Sequence, residues 1–401
     1  MKTDDLPVLV IGGVDFHVAC FNELNVPYIL IQLPDALTQF QKGAASSVHL
    51  FDYTDVDALL AFVPQLPGFE KIRAVFSFTE AGLRPAAAIS DMFSIISNCQ
   101  TDTVSLAGDK YLMREAIKAA KNAYLHVIPY AQIFTIDELV EFYRDVNGPI
   151  ILKPKDGVGS QGVTLIESTQ ALEAGFDYAQ SVSSHGLIAE AYIGGTEYSV
   201  ETLSKNAIHQ LVAITKKITS GPPYFVETGH DQPAVVDTET RFLIEKCVFA
   251  LLELINRKTG PTHTEVKVVN GMVFVIETQP RTGGDNIWNM VELTTGIDLY
   301  QQTIAELLSI SCPEKHPMAN AACVRFFQVP EGILKVISGF EQVEKIDGVH
   351  LLKSNIKPGE YIKPLNRSTN RIGYTLTLGE DLDEANSLAT HVLGTVEFVV
   401  E

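Results

Sequence analysis

The sequence has few cysteines, no long apolar run and little positive charge. Its five cysteines are scattered over 401 residues without a CxxC pair, which argues against a disulfide framework or a cysteine zinc site. No apolar run approaches the roughly 20 residues that cross a bilayer, and the opening MKTDDLPVLVIGG lacks the charged region and cleavage site of a secretory signal. We therefore expect a cytoplasmic protein that is neither exported nor inserted in a membrane.

Acidic residues outnumber basic ones by a wide margin. The 30 Lys and Arg against 49 Asp and Glu give a formal net charge of −19, and no basic run concentrates positive charge. Such a surface repels nucleic-acid backbones and anionic lipid, so neither is an expected partner. With 46% apolar residues, the chain can form about two to four folding units, each with its own core.

The order of apolar and polar runs predicts an α/β protein of several parts. Short apolar runs alternate with amphipathic stretches in residues 1–105, which predicts a parallel-sheet (Rossmann-like) domain of βαβ units. Residues 106–129 are expected to form a helical linker, and residues 130–203 a small central α+β unit. The remainder, residues 204–401, is expected to form an α+β domain with a hairpin at Asn270-Gly271 and a strand-rich end.

A glycine-rich turn follows an apolar strand in IILKPKDGVGSQGV, residues 150–163. The strand delivers Lys153, and the glycines after it allow backbone N–H groups to turn toward phosphate oxygens. The segment is not a Walker A loop, because no GK[ST] follows. On this segment alone, a phosphate cradle and an ordinary glycine-rich hairpin are equally good interpretations.

Two glutamates flank the Asn270-Gly271 turn in TEVKVVNGMVFVIETQPR, residues 264–281. Glu265 and Glu277 stand at similar distances from the turn, which in a two-residue hairpin predicts opposed side chains on one face. Opposed carboxylates repel, and a hard divalent cation shared with phosphate oxygens is the favoured compensation. The alternative interpretation is a solvated pair on an edge strand.

An arginine and two glycines follow the second glutamate closely, as Arg281 and Gly283-Gly284. An arginine beside a metal site can stabilise charge on a transferred phosphoryl group or a tetrahedral oxyanion, and glycines let a substrate carboxylate approach backbone N–H groups. The loop, the glutamate pair and this segment together predict phosphoryl chemistry.

Five segments carry a resemblance to a known family: Lys110, LKPKDGVGSQGV at 152–163, EAYIGGTEYSVE at 190–201, HTE at 263–265 and ETQPRTGG at 277–284. In order and spacing they resemble the ATP-grasp ligases, and within them the dipeptide-forming L-amino acid ligases. The resemblance covers nearly the whole chain. It implies an ATP-grasp fold in which the central unit is a lid over ATP, with Mg²⁺ or Mn²⁺ as the metal.

The resemblance implies a nucleotide site. Its lysines would contact the α- and β-phosphates, its loop would close over them, its hinge would read the adenine amino group, and its last glutamate would hold the ribose hydroxyls. These residues are Lys110, Lys153, Ser160, Gln161, Gly162, Glu190, Ala191, Ile193 and Glu197.

The resemblance also implies a metal site and a catalytic arginine. Glu265 and Glu277 match the metal-bridging pair, and Arg281 matches the arginine that stabilises the acyl-phosphate and the tetrahedral intermediate. The family often has Asn as a further metal ligand two residues after the second glutamate. Here that position is Gln279, a longer amide that is a candidate for the same role.

Substrate contacts are expected from three parts of the chain. The segment FVETGHDQPA, residues 225–234, resembles the family's amino-acid-binding segment, so Glu227 is a candidate for an α-ammonium and His230 for a carboxylate or phosphate. Gly283 and Gly284 would receive a substrate carboxylate. Asp285, together with Glu80, is expected to accept a basic side chain, although a solvent-facing loop aspartate explains Asp285 nearly as well.

The sequence therefore predicts a ligase that joins two L-amino acids through an acyl-phosphate and releases ADP and phosphate, with a basic Arg or Lys as the first residue. Two alternatives stay open: a ligase for a non-proteinogenic acid in natural-product biosynthesis, and a nucleotide-binding protein without catalysis. The expected partners are small amino acids, and homodimerisation is left open.

Overall fold

The structure is a computed structural model that describes residues 6–157, 159–183 and 185–401. Predicted features that fall on residues 1–5, and on Val158 of the glycine-rich loop, lie outside this description. Among the helices that these ranges contain, none is both long and apolar enough to reach across a bilayer.

The first domain is a five-stranded parallel sheet, as the alternating pattern predicted. Its three central strands are buried along their length because helices cover both faces of the sheet. The strands are β1 (Val8–Ile11), β2 (Tyr28–Gln32), β3 (Ser47–Leu50), β4 (Ala74–Phe76) and β5 (Ile96–Ser97), in the order β3-β2-β1-β4-β5. The helices are α1 (Asp15–Glu23), α2 (Gln39–Ala44), α3 (Val56–Phe62) and α4 (Glu80–Phe93).

Two helices connect this domain to the rest, α5 (Thr101–Gly108) and α6 (Lys110–Ala120). Asp109 separates them, because its carboxylate accepts hydrogen bonds from the N–H groups of Tyr111 and Leu112 and so begins α6. As a result, Lys110 is the first residue of a helix, where the amide dipoles favour an anionic ligand.

The central unit is a four-stranded antiparallel sheet covered by two helices. It contains β6 (Tyr130–Ile133), α7 (Ile136–Val146), β7 (Ile150–Pro154), β8 (Thr164–Ile166), α8 (Leu172–Val182) and β9 (Leu187–Ala191), with strand order β6-β9-β7-β8. Helix α7 begins with a capping box, in which Thr135 and Glu138 satisfy each other's backbone N–H groups. The next strand joins the following sheet, so this unit ends after β9 rather than at residue 203.

The last part is built on an eight-stranded sheet. Its strands are β10 (Thr196–Lys205), β11 (Ile208–Thr219), β12 (Glu227–Gln232), β13 (Gly260–Val269), β14 (Met272–Gln279), β15 (Ala321–Phe326), β17 (Val349–Ser354) and β19 (Gly373–Gly379). Their order in the sheet is β14-β13-β10-β11-β12-β15-β19-β17. A three-stranded sheet holds β16 (Gly332–Ser338), β18 (Tyr361–Ile362) and β20 (Glu397–Val400). The helices are α9 (Thr238–Leu254), α10 (Ile287–Thr295), α11 (Leu299–Leu308), α12 (Phe340–Val343) and α13 (Leu382–Thr395).

Arg257 joins the first and last parts. It is buried, and its guanidinium donates to the carbonyl oxygens of Asn98 and Pro261 at 2.7 and 2.8 Å and to the hydroxyl of Thr262 at 3.1 Å. Burial lowers the pKa of Arg257 to about 10, which leaves it charged at neutral pH. One buried cation thus fixes the parallel sheet to the strand that carries Glu265.

The predicted hairpin of β13 and β14 is present, and it contains a bulge. Regular pairing continues from Val269 opposite Met272 to Val266 opposite Val275, and the register then shifts. Without the shift Glu265 would face Ile276, but the extra residue places Glu265 opposite Glu277. The opposition of the two glutamates is confirmed, although it depends on this bulge and not on the symmetry of the turn.

Candidate active site

A cavity of about 300 Å³ lies between the central unit and the eight-stranded sheet. Sixteen of the predicted site residues line it: Lys110, Lys153, Ser160, Gln161, Glu190, Ala191, Ile193, Glu197, Glu227, His230, Glu265, Glu277, Gln279, Arg281, Gly284 and Asp285. An adjoining cavity of about 940 Å³ is lined by Glu80 and Gly283, and by Arg281, Gly284 and Asp285, which face both cavities. Gly162 faces neither cavity and packs against Pro154 and Val182.

The two lysines reach the first cavity from different elements, α6 and β7. Lys110 donates to the carbonyl oxygen of Gly157 at 2.8 Å and pairs with Glu277 at 3.1 Å. Lys153 is buried on β7 and pairs with Glu190 at 2.6 Å. Burial lowers the pKa of Lys153, and the nearby Glu190 opposes that shift.

Glu190 is held by two cations. Its other carboxylate oxygen accepts from Arg114 Nε at 2.7 Å, and Arg114 Nη2 donates to the carbonyl oxygen of Ile276, the bulge residue, at 3.0 Å. Burial by itself would raise the pKa of Glu190, but Arg114 and Lys153 lower it to about 2. The Glu190 carboxylate therefore orients Lys153, and the adenine contact of residues 190–193 stays a prediction.

Lys217 on β11 is a central residue that sequence reasoning missed. Its ammonium contacts Glu197 at 2.7 Å, Glu265 at 2.8 Å and Glu227 at 3.5 Å. Burial opposes its charge, yet these three carboxylates raise the pKa of Lys217 well above its ordinary value. Strand alternation was the available signal, because Lys216 is exposed and Lys217 is buried.

His263 belongs to the HTE motif at residues 263–265, but the sequence alone did not indicate a role for it. Its Nδ1 contacts Glu201 Oε1, its Nε2 lies 3.4 Å from Glu265 Oε1, and Gly283 N–H donates to Glu201 Oε2 at 3.2 Å. Burial disfavours the charged ring, but Glu201 and then Glu265 raise the pKa of His263 to about 10. The ring is thus a second cation beside Glu265, and a side chain at Gly283 would collide with it.

The glutamate pair fits a hard divalent cation. Glu265 and Glu277 face the same cavity from adjacent strands, and Gln279 donates to Glu277 at 3.1 Å. In the part of the chain that the structure describes, no group of three or more His, Cys, Asp or Glu residues could hold a metal. A magnesium ion here would need phosphate oxygens and water to complete its coordination, which is its usual mode of binding.

The substrate candidates are held by partners of opposite charge. Asp285 accepts two hydrogen bonds from Arg371, at 2.6 and 2.5 Å, and lies 3.1 Å from His230 Nε2. Glu80 pairs with Arg281 Nε at 2.6 Å. The prediction of a basic substrate side chain needed Asp285 and Glu80 to be unpaired, and both carboxylates are paired with an arginine of the protein.

The segment that carries Arg371 also contacts the glycine-rich loop. Ser368 N–H donates to the Gly159 carbonyl oxygen at 3.3 Å, and Ser368 Oγ donates to Glu227 at 2.8 Å. Ser160 Oγ lies 3.5 Å from the same carboxylate. The last domain therefore closes the cavity on the side of the loop, a contribution that no sequence motif indicated.

Two family models match the chain. Residues 146–289 match the ATP-grasp domain and residues 325–401 match the L-amino acid ligase C-terminal domain 2, together more than half of the chain. These matches contain the glycine-rich loop, the hairpin and the segment of Arg371.

Curated relatives and solved structures agree with the family models. An uncharacterised protein of Sinorhizobium fredii is 23% identical over 390 residues, covering 96% of this chain and 80% of the relative. The alanine–anticapsin ligase of Bacillus amyloliquefaciens is 26% identical over 281 residues, covering 61% of this chain but only 58% of that enzyme. A crystal structure of L-amino acid ligase from Bacillus licheniformis matches with a TM-score of 0.84 and 21% identity over 99% of both chains, which shows a common fold.

Proposed function

Since the chain belongs to the ATP-grasp carboxylate–amine ligases, we propose that it joins two L-amino acids through an acyl-phosphate, releasing ADP and phosphate. The observation that carries the proposal is the opposition of Glu265 and Glu277 beside Lys110, Lys153 and Arg281 in one cavity. ATP-grasp enzymes use ATP with Mg²⁺, and the alanine–anticapsin ligases, by their name, join alanine to a second small molecule.

The chain's own residues account for the steps of this reaction. Lys110 and Lys153 bind the phosphates, and the loop at Ser160 and Gln161 excludes water from the acyl-phosphate. The carboxylate of the first amino acid attacks the γ-phosphorus of ATP, and ADP leaves. The amine of the second amino acid then attacks the acyl carbon, and phosphate leaves as the amide bond forms.

Arg281 acts at the junction of the two cavities. Its guanidinium stabilises negative charge on the transferred phosphoryl group and on the tetrahedral oxyanion. Glu265 and Glu277 would hold a magnesium ion, which would neutralise negative charge on the phosphates. Holding the two reactants together in this geometry can supply roughly 7–11 kcal/mol of the barrier reduction.

The sequence also predicted a preference for Arg or Lys as the first substrate. It required Asp285 and Glu80 to be available, and both have internal cationic partners.

The test is ADP formation with a matrix of amino-acid pairs, with mass spectrometry of the products. We expect amino-acid-dependent ADP release and a dipeptide mass. We expect Glu277→Gln to lower turnover at least about 100-fold, since even loss of an outer-shell partner of a metal site costs 10- to 100-fold, and Glu397→Gln, at an exposed strand position, to leave it unchanged. ATP binding without turnover for any pair would favour the non-catalytic alternative.

A further inference from the structure

The larger cavity beside Arg281 has an unusual lining. About a quarter of its lining residues are Phe, Trp or Tyr, against 8% in the whole chain. The aromatic residues are Phe16, Phe78, Trp288, Tyr300, Phe326, Tyr361 and Tyr374. They come from the first domain, from α10 and α11, and from the strands of the last domain, so the cavity exists only in the assembled chain.

Phe16 and Trp288 form a stacked pair on one wall. Their ring centroids are 4.3 Å apart with an angle of 15° between the planes. Phe16 is 38% exposed although it stacks on Trp288, so part of the ring stays open. Tyr361 is also exposed in the same cavity. Exposed aromatic faces in a concave site are suited to a flat or bulky apolar group.

The charges of the cavity are balanced within the protein. Glu80 is neutralised by Arg281, and Asp285 by Arg371. Burial, with a smaller effect of Arg281, lowers the pKa of His17 to about 3, so this lining ring is neutral. The other two charged residues of the lining, Glu360 and Lys363, are exposed and opposite in sign.

From these contacts we infer that the larger cavity receives an aromatic or large aliphatic side chain of the amino acid whose carboxylate is activated. A basic side chain could reach Asp285 or Glu80 only in competition with Arg371 or Arg281, whereas an apolar side chain stacks on Phe16 without breaking an ion pair. Because Arg281 and Gly284 line both cavities, an amino acid with its carboxylate at Arg281 directs its side chain into this space. The inference rests on the proposed ligase function.

The experiment measures ADP release and product mass with Phe, Tyr, Trp, Leu, Met, Arg, Lys and Ala as first amino acid. We expect the aromatic and large aliphatic residues to exceed Arg and Lys in kcat/KM by at least about tenfold, which corresponds to one or two favourable apolar contacts. The large apolar residue should occupy the N-terminal position of the dipeptide. Faster turnover of Arg or Lys, or the large apolar residue found only at the C-terminal position, would overturn the inference while leaving the ligase function intact.

Variants separate recognition from a packing role. Phe16→Ala should raise KM for Phe about tenfold and leave KM for ATP and turnover of Ala unchanged. Phe40→Ala, at an exposed position of α2 in the same domain, is the matched control and should leave every constant unchanged. Phe16→Asp adds a carboxylate without a partner and should shift preference toward Arg and Lys.

An equal loss for Phe and Ala in Phe16→Ala, together with a lower melting temperature, would assign Phe16 to domain packing and overturn the inference. Absence of turnover with every pair in the wild type would instead count against the ligase function itself. The two failures are therefore distinguishable.

Discussion

Arg371 donates hydrogen bonds from both terminal nitrogens of its guanidinium to the carboxylate of Asp285, at 2.6 and 2.5 Å. The guanidinium also lies over the ring of Phe326, with Cζ 3.9 Å from the centroid. Burial alone would raise the pKa of Asp285, but His230 and Arg371 hold it below its ordinary value. The pair therefore fixes the segment of Ser368 and Arg371 to the loop that follows Gly284.

A double-mutant cycle tests this pair. The losses of unfolding free energy in Arg371→Met and Asp285→Asn should add up to more than the loss in the double variant. Each single change leaves one buried group without its partner, whereas the double variant removes both groups. We expect a coupling free energy of about 1–3 kcal/mol from urea unfolding near pH 7. A coupling near zero would show that the two side chains act independently.

The cycle also has a pH dependence with a defined sign. A carboxyl group whose folded pKa is depressed stabilises the protein above its unfolded pKa, which is about 3.9 for Asp. This contribution is lost as the pH falls below that value. The coupling should therefore be larger at pH 7 than at pH 3.

The hairpin shows how much of the site could be predicted from sequence. The residue types and the Asn270-Gly271 turn predicted a glutamate pair across two strands, and the pair is present. The bulge at Ile276 could not be predicted, because it is stabilised by Arg114, 162 residues earlier in the chain. It places Ile276 and Glu277 together on the cavity side, which regular alternation would forbid.

The residues that were missed have partners on distant strands. Lys217 lies in a run without glycines or acidic neighbours; strand alternation could have separated it from Lys216, but its role follows from the three carboxylates that β10, β12 and β13 bring around it. Arg371 likewise meets Asp285 across 86 residues. Local patterns predicted the parallel sheet of the first domain and the glycine-rich turn after β7, whereas the roles of these cations depend on partners that are distant in sequence.

Removing the Lys217 ammonium should destabilise the protein. Lys217→Met leaves Glu197, Glu227 and Glu265 facing one another, and loss of one partner of a buried pair costs about 3–5 kcal/mol. Because the pKa of Lys217 is raised, its contribution is fully present below the unfolded lysine pKa of about 10.4, and the loss is therefore expected at neutral pH. Urea unfolding at pH 7 measures it.

The matched control for this change is Lys216→Met on the same strand. Lys216 is exposed, so its replacement should alter the free energy of unfolding by less than about 0.5 kcal/mol. Equal effects of the two variants would contradict the assigned role of Lys217.

Glu190 predicts an acid-dependent stability. Its folded pKa of about 2 lies below the ordinary glutamate value of 4.5, so its contribution is present above pH 4.5 and is lost as the pH falls toward 2. Glu190→Gln should therefore lower the free energy of unfolding by about 3 kcal/mol at pH 7. The difference from wild type should shrink by pH 3.

Glu141→Gln, at an exposed position of α7 in the same unit, is the control and should show neither the loss nor the pH dependence. A loss of unfolding free energy in Glu190→Gln that does not change with pH would contradict the ion-pair explanation.

A substitution at Gly162 tests whether the shape of the glycine-rich loop at residues 157–162 matters for ATP binding. Its φ of +76° is a conformation that favours glycine, and an added Cβ would lie 2.6 Å from Val182 Cγ2 and 2.9 Å from Pro154 Cδ. The left-handed conformation alone costs roughly 1–2 kcal/mol with a side chain, so Gly162→Ala should raise KM for ATP about tenfold as the loop shifts. Gly148→Ala is the control, because its added Cβ would meet only the Val146 carbonyl oxygen at 3.9 Å. Unchanged KM for ATP in Gly162→Ala, with an unchanged melting temperature, would show that the loop tolerates a different path and does not need this glycine to bind phosphate.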